Sequence, residues 1–452
     1  MKSTHAWSST TAGSYATSPD VPLSRLAERF CVVRQQTENL IKPLSAEDCQ
    51  LQSMPDASPA KWHLAHLTWF FETFVLERFE TAFKPFDASF RVLFNSYYNG
   101  VGDKYPRPQR GLISRPSLAE VLNYRAEVNA RVLEVMSQVQ AAGSAPAQRE
   151  LTTLVTLGLH HEQQHQELLL TDIKHALSFN PARPAYAQRW PLAGIHPQPA
   201  SWLPYAGGLL EHGFDAALDG EFAFDNETPR HRVFIAPFEL ASRVVTNGEI
   251  MAFMADGGYQ RPELWLSMGW DWVQSGQHAM PLYWQAHTAG KAPGYSNFTL
   301  QGLVDVDPNT PACHLNYFEA DAFARWSGAR LPTEFEWELA SRSVAKTSMA
   351  QGNFVENAAY HPLPLQQASS DGPSQMFGDV WEWTQSNYNP YPGYTAWEGV
   401  VGEYNGKFMC NQLVLRGGSC ATPRGHVRAS YRNFFPPQAQ WQFSGVRLAR
   451  SA

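Results

Sequence analysis

Apolar residues recur at helical spacing through most of the first 180 positions, then give way to short runs broken by Gly and Pro. Val21 to Leu44 places an apolar side chain every three or four residues, as one buried helical face requires. Ser58-Pro59 opens a second segment, with a Ser N-cap and Pro at the first helical position, running through Trp62, Leu64, Leu67, Trp69, Phe70 and Phe74. Ser117 caps a third helix from Leu118 to about Ala142, and Gln148 to about Leu177 forms a fourth. Four long amphipathic helices predict a bundle, an architecture that builds metal sites from inward-facing side chains.

From Asn180 to Pro204 the chain turns Pro-rich (Pro181, Pro184, Pro191, Pro197, Pro199, Pro204), which marks a linker. Beyond it come short strand-like runs with many Gly and Trp, and helical spacing at Tyr317 to Trp326 and Thr333 to Ser341. The expected organisation is a disordered tail over 1–20, a helical bundle over 21–180, a linker over 181–204 and a second domain over 205–452. The class is thus multidomain, α followed by α+β. The connection between helices two and three, about Pro85 to Pro116, is long and carries Asn95-Ser96-Tyr97-Tyr98-Asn99-Gly100. Connections of that length are often functional.

At 452 residues the chain exceeds one ordinary core. A net charge of −7 gives no broad basic surface, which argues against nucleic-acid partners. No apolar run approaches the roughly 20 residues that span a bilayer. The N-terminus lacks the apolar stretch of a secretory signal, so a cytoplasmic location is expected. Five scattered cysteines without a CxxC fit a reducing compartment, and Cys410 and Cys420 read as plain buried thiols.

The chemistry concentrates in His160-His161-Glu162-Gln163-Gln164-His165. Histidines four apart lie one above the other on a helix, and His161 and His165 can share one ion. Flanking leucines would bury that face. Imidazole suits zinc, copper, iron and nickel, so the metal stays open at this point. Helix two offers a third ligand from His63-Leu64-Ala65-His66, and either histidine can meet the pair across a bundle. Helix-surface or capping roles are the plainer expectation for His63, His160 and His175.

Trp62-His63-Leu64-Ala65-His66 with His161-Glu162-Gln163-Gln164-His165 resembles the DinB-type bundle of the sulfoxide synthases of ergothioneine biosynthesis. The second half resembles the formylglycine-generating-enzyme fold, which is related to C-type lectins. Its marks are Arg330-Leu331-Pro332-Thr333-Glu334-Phe335-Glu336-Trp337-Glu338, Gly378-Asp379-Val380-Trp381-Glu382-Trp383-Thr384, Leu415-Arg416-Gly417-Gly418-Ser419 and Phe443-Ser444-Gly445-Val446-Arg447. The resemblance implies a non-haem Fe(II) oxidoreductase joining a cysteine sulfur to C2 of the trimethylhistidine imidazole, with O2 forming the sulfoxide. It implies His66, His161 and His165 as iron ligands, which leaves octahedral positions for substrates and O2. Structural Ca2+ occurs in some relatives of the second fold.

A proton donor beside reduced oxygen is needed, and Tyr97 and Tyr98 are the candidates. The tandem matches the branch in which this loop supplies the phenols, since Gln375, Met376 and Phe377 before the Gly-Asp-Val-Trp motif hold no tyrosine. The resemblance points to Gln164 and Asn433 as substrate amides, and Phe434 and Phe435 offer aromatic faces for a trimethylammonium. Relatives that use γ-glutamylcysteine carry Asp and Arg where this chain has Phe435 and Ala439, so free cysteine is the expected donor. Arg107 and Arg110 are candidates for a bidentate clamp on its carboxylate. A γ-glutamylcysteine or selenosugar donor remains the alternative within the family. A non-catalytic lectin-like binding module is the alternative outside it.

Overall fold

The computed structural model describes residues 22–188, 199–287, 293–369 and 372–452. The 1–20 tail and the middle of the Pro-rich linker lie outside the described residues. In the bundle, α1 (Leu23–Ile41) and α2 (Ala60–Phe71) are followed by α3 (Leu118–Ala142) and α4 (Ala145–Ser178). Pro59 stands at the N-cap position of α2, one place earlier than the first-turn role expected for it. Ser117 caps α3 as expected, accepting from the Glu120 amide while Glu120 reaches back to the Ser117 amide. Helix α2 passes into a π-helical turn at Glu72–Leu76, the irregularity that often accompanies a functional helix.

Helix α4 is buried on nearly all sides, unlike an ordinary amphipathic surface helix. One side packs on α1 and α2, and the other meets the second domain. Glu162 explains part of this burial. Its carboxylate takes Arg34 at 2.9 Å and Thr37 Oγ1 at 2.6 Å from α1, and Arg125 from α3. Burial alone would raise this carboxyl, but the two guanidiniums and Thr37 outweigh it and hold it below its usual range. A buried charge so fully paired fixes the register of α4 against two helices.

The second domain centres on a four-stranded sheet of β1 (Trp381–Asn387), β2 (Leu413–Arg416), β3 (Asn433–Phe435) and β4 (Ser444–Gly445), in the order β3-β2-β1-β4. The two expected helices are present as α5 (Tyr317–Trp326) and α6 (Glu334–Gln351), each opened by a capping box, Asn316 with Glu319 and Thr333 with Glu336. Helix α6 runs ten residues past the expected Ser341, because Val344 still faces the core.

The sequence motifs of this half converge as scaffold. Arg447 pairs with Glu382 at 2.8 Å, Arg416 with Glu338 at 2.7 Å and Arg432 with Glu334 at 2.8 Å, all buried. Trp337 Nε1 donates to Glu382 at 2.7 Å. Cys420 is a buried thiol, as expected, but Cys410 is exposed. It lies in the 3-10-rich segment before β2, not in the core.

Candidate metal centre at the domain junction

His66 on α2 and His161 and His165 on α4 bring one ring nitrogen each within 4.8 Å of one another, all three buried. Among the described residues they are the group of three or more metal-ligating side chains that converges. His66 Nδ1 donates to the Phe94 carbonyl at 2.7 Å, which leaves Nε2 as a lone pair without a partner. His161 has no partner on either nitrogen. Orphaned nitrogens this deep cost free energy unless something binds them, so the set fits a cation. Burial, first, and the neighbouring imidazoles push all three well down, His161 to about 3, so the rings are neutral and able to ligate.

His63 and His160 depart from the helix-surface role expected of them. His63 is buried between His165 Nδ1, at 2.8 Å from its Nδ1, and Asp172 Oδ2, at 3.0 Å from its Nε2. Asp172 only accepts, so His63 carries its proton on Nε2 and accepts at Nδ1 from His165. That leaves the His165 Nε2 lone pair for the ion, the carboxylate–histidine support typical of metal ligands. His160 is buried against Phe222, ring centroids 4.1 Å apart. His175 alone is half-buried, bonded to Ser53.

The tyrosine loop closes the site. Tyr98 is buried against Trp69 and Phe74, and its ring lies 4.9 Å from that of Tyr97. The Tyr97 ring also lies 5.6 Å from that of Tyr404. Burial pushes the pKa of both loop phenols upward, so both hold their protons at neutral pH. Tyr404 comes from the second domain, with its ring 5.8 Å from His161. Its hydroxyl donates to Gln164 Oε1, and Gln164 Nε2 donates to Tyr431 at 2.8 Å.

The chain of bonds runs further. Arg29, always a donor, meets His160 Nε2 at 2.9 Å, so His160 donates from Nδ1 to His426 Nδ1 at 3.2 Å. His426 Nε2 then donates to Tyr431 at 2.9 Å. Each tautomer follows from the first guanidinium, and Gln164 is aimed at its end. Neither Tyr404 nor Tyr431 is signalled by spacing or motif. Folding alone brings them to Gln164.

The two arginines do not form a pair. Arg110 is buried, its guanidinium 3.4 Å over the Trp62 ring, with Ser58 and Ser96 each accepting at 3.0 Å and its Nε unpartnered. Arg107 is exposed, one turn-like step away, and donates to the Asp56 carbonyl. The two guanidiniums therefore do not converge as the expected two-arginine clamp requires. The two residues are one 3-10 turn apart, and it is their partners that separate them: Arg110 is drawn inward by Trp62, Ser58 and Ser96, and Arg107 outward by the Asp56 carbonyl. Phe434 stacks on Tyr388 at 4.0 Å and touches Phe408, whose ring is 5.5 Å from Tyr97. Phe435 packs on Trp441 instead, and the Asn433 side-chain oxygen Oδ1 accepts from the Phe434 backbone amide at 2.9 Å. Trp381 and Trp383 serve packing and junction roles, Trp381 Nε1 bonding Glu167 of α4 at 2.7 Å.

Residues 201–452 match the model of the sulfatase-modifying factor enzyme 1-like domain, and residues 29–169 match that of the DinB superfamily. The whole chain is similar to the hercynine oxygenase of Mycolicibacterium smegmatis, 31% identical over 94% of this chain and 98% of that protein. The hercynine oxygenase of Mycobacterium tuberculosis is 31% identical over 96% of this chain and 99% of its own length. That of Mycolicibacterium thermoresistibile is 30% identical over 94% of each.

Proposed function

The chain belongs to the hercynine oxygenase family, and on that premise we propose that it is a non-haem iron(II) sulfoxide synthase that joins cysteine sulfur to C2 of trimethylhistidine. Thiol, imidazole C–H and O2 combine to give the C–S-bonded sulfoxide and water. Forming C–S and S–O bonds releases four electrons, which O2 takes up, so no external reductant enters. The observation that carries this reading is the trio of buried imidazoles, His66 and His161 with unpartnered nitrogens, beside the two packed loop phenols.

Iron(II), when held by His66, His161 and His165, supplies a Lewis acid for the thiolate and electrons for O2. The remaining chemistry belongs to the chain. Gln164, aimed by Tyr404 and Tyr431, is the amide for the substrate imidazole. Arg110, with a free Nε at the site, is the cation for the cysteine carboxylate. Phe434 with Tyr388 offers a stacked aromatic face for the trimethylammonium, and Asn433 adjoins it. Tyr97 or Tyr98 donates the proton that reduced oxygen requires, since both are protonated at neutral pH.

Free cysteine is favoured over γ-glutamylcysteine because Phe435 and the buried Ala439 leave no charge for a γ-glutamyl end. A cytoplasmic location accords with the unpaired cysteines. Anaerobic loading with Fe(II), then trimethylhistidine, a donor and air, tests the reading. O2 uptake with a C–S-bonded sulfoxide is expected for cysteine, and little for γ-glutamylcysteine or a selenosugar. Absence of product with every donor refutes the activity, and preference for another donor refutes only the cysteine assignment.

A further inference from the structure

A cavity of about 360 Å3 opens on the other side of α4 from the three histidines. Gln163, two residues from His161 and so about 200° around the helix axis, is in its wall with Thr152 and Thr156. Arg25 and Arg29 of α1 face them, and Phe222 of the second domain completes the lining. The volume is within the range of small-molecule pockets.

The polar groups around it are unequally committed. Arg428 is spent on Glu227 at 2.7 Å, and Asp219 on Arg342 at 3.3 Å. Arg29 uses one amino group on His160 and faces Glu221 only at longer range. Gln163 is buried, 6% exposed, yet its Oε1 has no partner. A buried acceptor left unpaired beside a room large enough for a ligand calls for a donor from that ligand. The two α1 guanidiniums call for an oxyanion.

We propose that this cavity is a second small-molecule site, separate from the histidine centre, for a zwitterion of the amino-acid class. The ligand carboxylate meets Arg25 and Arg29, and its ammonium meets Gln163 Oε1 and Glu221. Its occupancy leaves the catalytic substrates' places free, because α4 lies between the two sites.

Calorimetry on the full-length, metal-loaded protein saturated with trimethylhistidine tests this, with L-serine and acetate as probes. One saturable L-serine site is expected. Acetate, which lacks the ammonium, should bind about tenfold more weakly, and Arg25→Gln should weaken L-serine by about tenfold. Thr156→Val, a near-isosteric change inside the cavity, is expected to weaken it in the same direction. Arg25 is exposed, so its variant should fold. No binding overturns the proposal. So does binding that ignores Arg25→Gln and Thr156→Val but is lost in Arg110→Lys, since the probe is then at the catalytic site.

Discussion

Replacing His63 by Leu tests whether the histidine centre is held by its hydrogen-bonded support. In the structure His165 Nδ1 has His63 Nδ1 as its acceptor at 2.8 Å, and His63 is itself fixed by Asp172 at 3.0 Å. Leucine removes that acceptor, so His165 loses both its orientation and its reason to keep Nε2 deprotonated. Loss of such a support costs roughly 10–100-fold in metal affinity, about 1.4–2.7 kcal/mol. Asp172→Asn is the informative partner. Asp172 Oδ2 accepts from both His63 and the Ser58 amide, while Oδ1 has no partner. An asparagine can therefore keep its oxygen at the Oδ2 position and put its NH2 where nothing is displaced. It should bind metal within a few-fold of the parent. Anaerobic Fe(II) titration against a competing chelator gives the affinities, and circular dichroism with metal-free melting confirms that each variant is folded. Breaking the buried His63–Asp172 pair also lowers stability, by up to about 3–5 kcal/mol, so the melting control is needed. A His63→Leu protein that is folded and binds Fe(II) as tightly as the parent refutes the orienting role.

Tyr98→Phe should slow sulfoxide formation by about 10²–10⁴-fold if it is the proton donor, with thiol oxidation gaining at its expense. Tyr97→Phe gives the complementary result, and two variants with parental product ratios would make the loop structural. Tyr431→Phe keeps the ring but removes the hydroxyl that Gln164 and His426 share. It should raise KM for trimethylhistidine about tenfold with a smaller change in kcat, and an unchanged KM counts against Gln164 as the imidazole amide. Arg110→Lys should raise KM for cysteine about tenfold, whereas Arg107→Gln should leave it alone; equal effects would restore the two-arginine clamp.

Stability should fall on acidification. Burial, first, holds His66, His160, His165, His314 and His426 well below their usual value, and His161 and His361 down to about 3. Depressed folded values stabilise above the unfolded pKa of about 6.5, and that contribution disappears as pH drops toward 3. Burial raises Glu319 to about 7, Asp219 and Asp379 to about 6, and Glu72, Glu167, Asp225 and Glu382 above their usual value, which works oppositely, but by smaller shifts than those of the imidazoles. The metal-free melting temperature should drop steeply below pH about 6.5. A flat profile between pH 7 and 5 would show that these imidazoles are not neutral and buried.

Much was legible along the chain because it depends on local rules. Helical spacing, the Ser117 cap and the His161/His165 pair follow from a period of 3.6 residues, and each reappears in the structure close to its expected place. The Pro-rich break and the change of texture after it likewise separate bundle from sheet without reference to any contact. The motifs of the second half spoke for a fold, and the structure shows their Arg and Glu residues spent on buried pairs that hold it. What the linear pattern could not supply was anything set by distance between remote residues. His63 and Asp172 are 109 positions apart, and Tyr404 and Gln164 are 240. Spacing cannot tell a buried supporting histidine from one on a surface, and it paired Arg107 with Arg110 where their separate hydrogen-bond partners part them. The sequence determined the helices and which of their faces carry imidazole. Only the tertiary packing of α4 between bundle and sheet decided which nitrogens stay unpartnered, which phenols reach them, and that a second cavity lies behind the same helix.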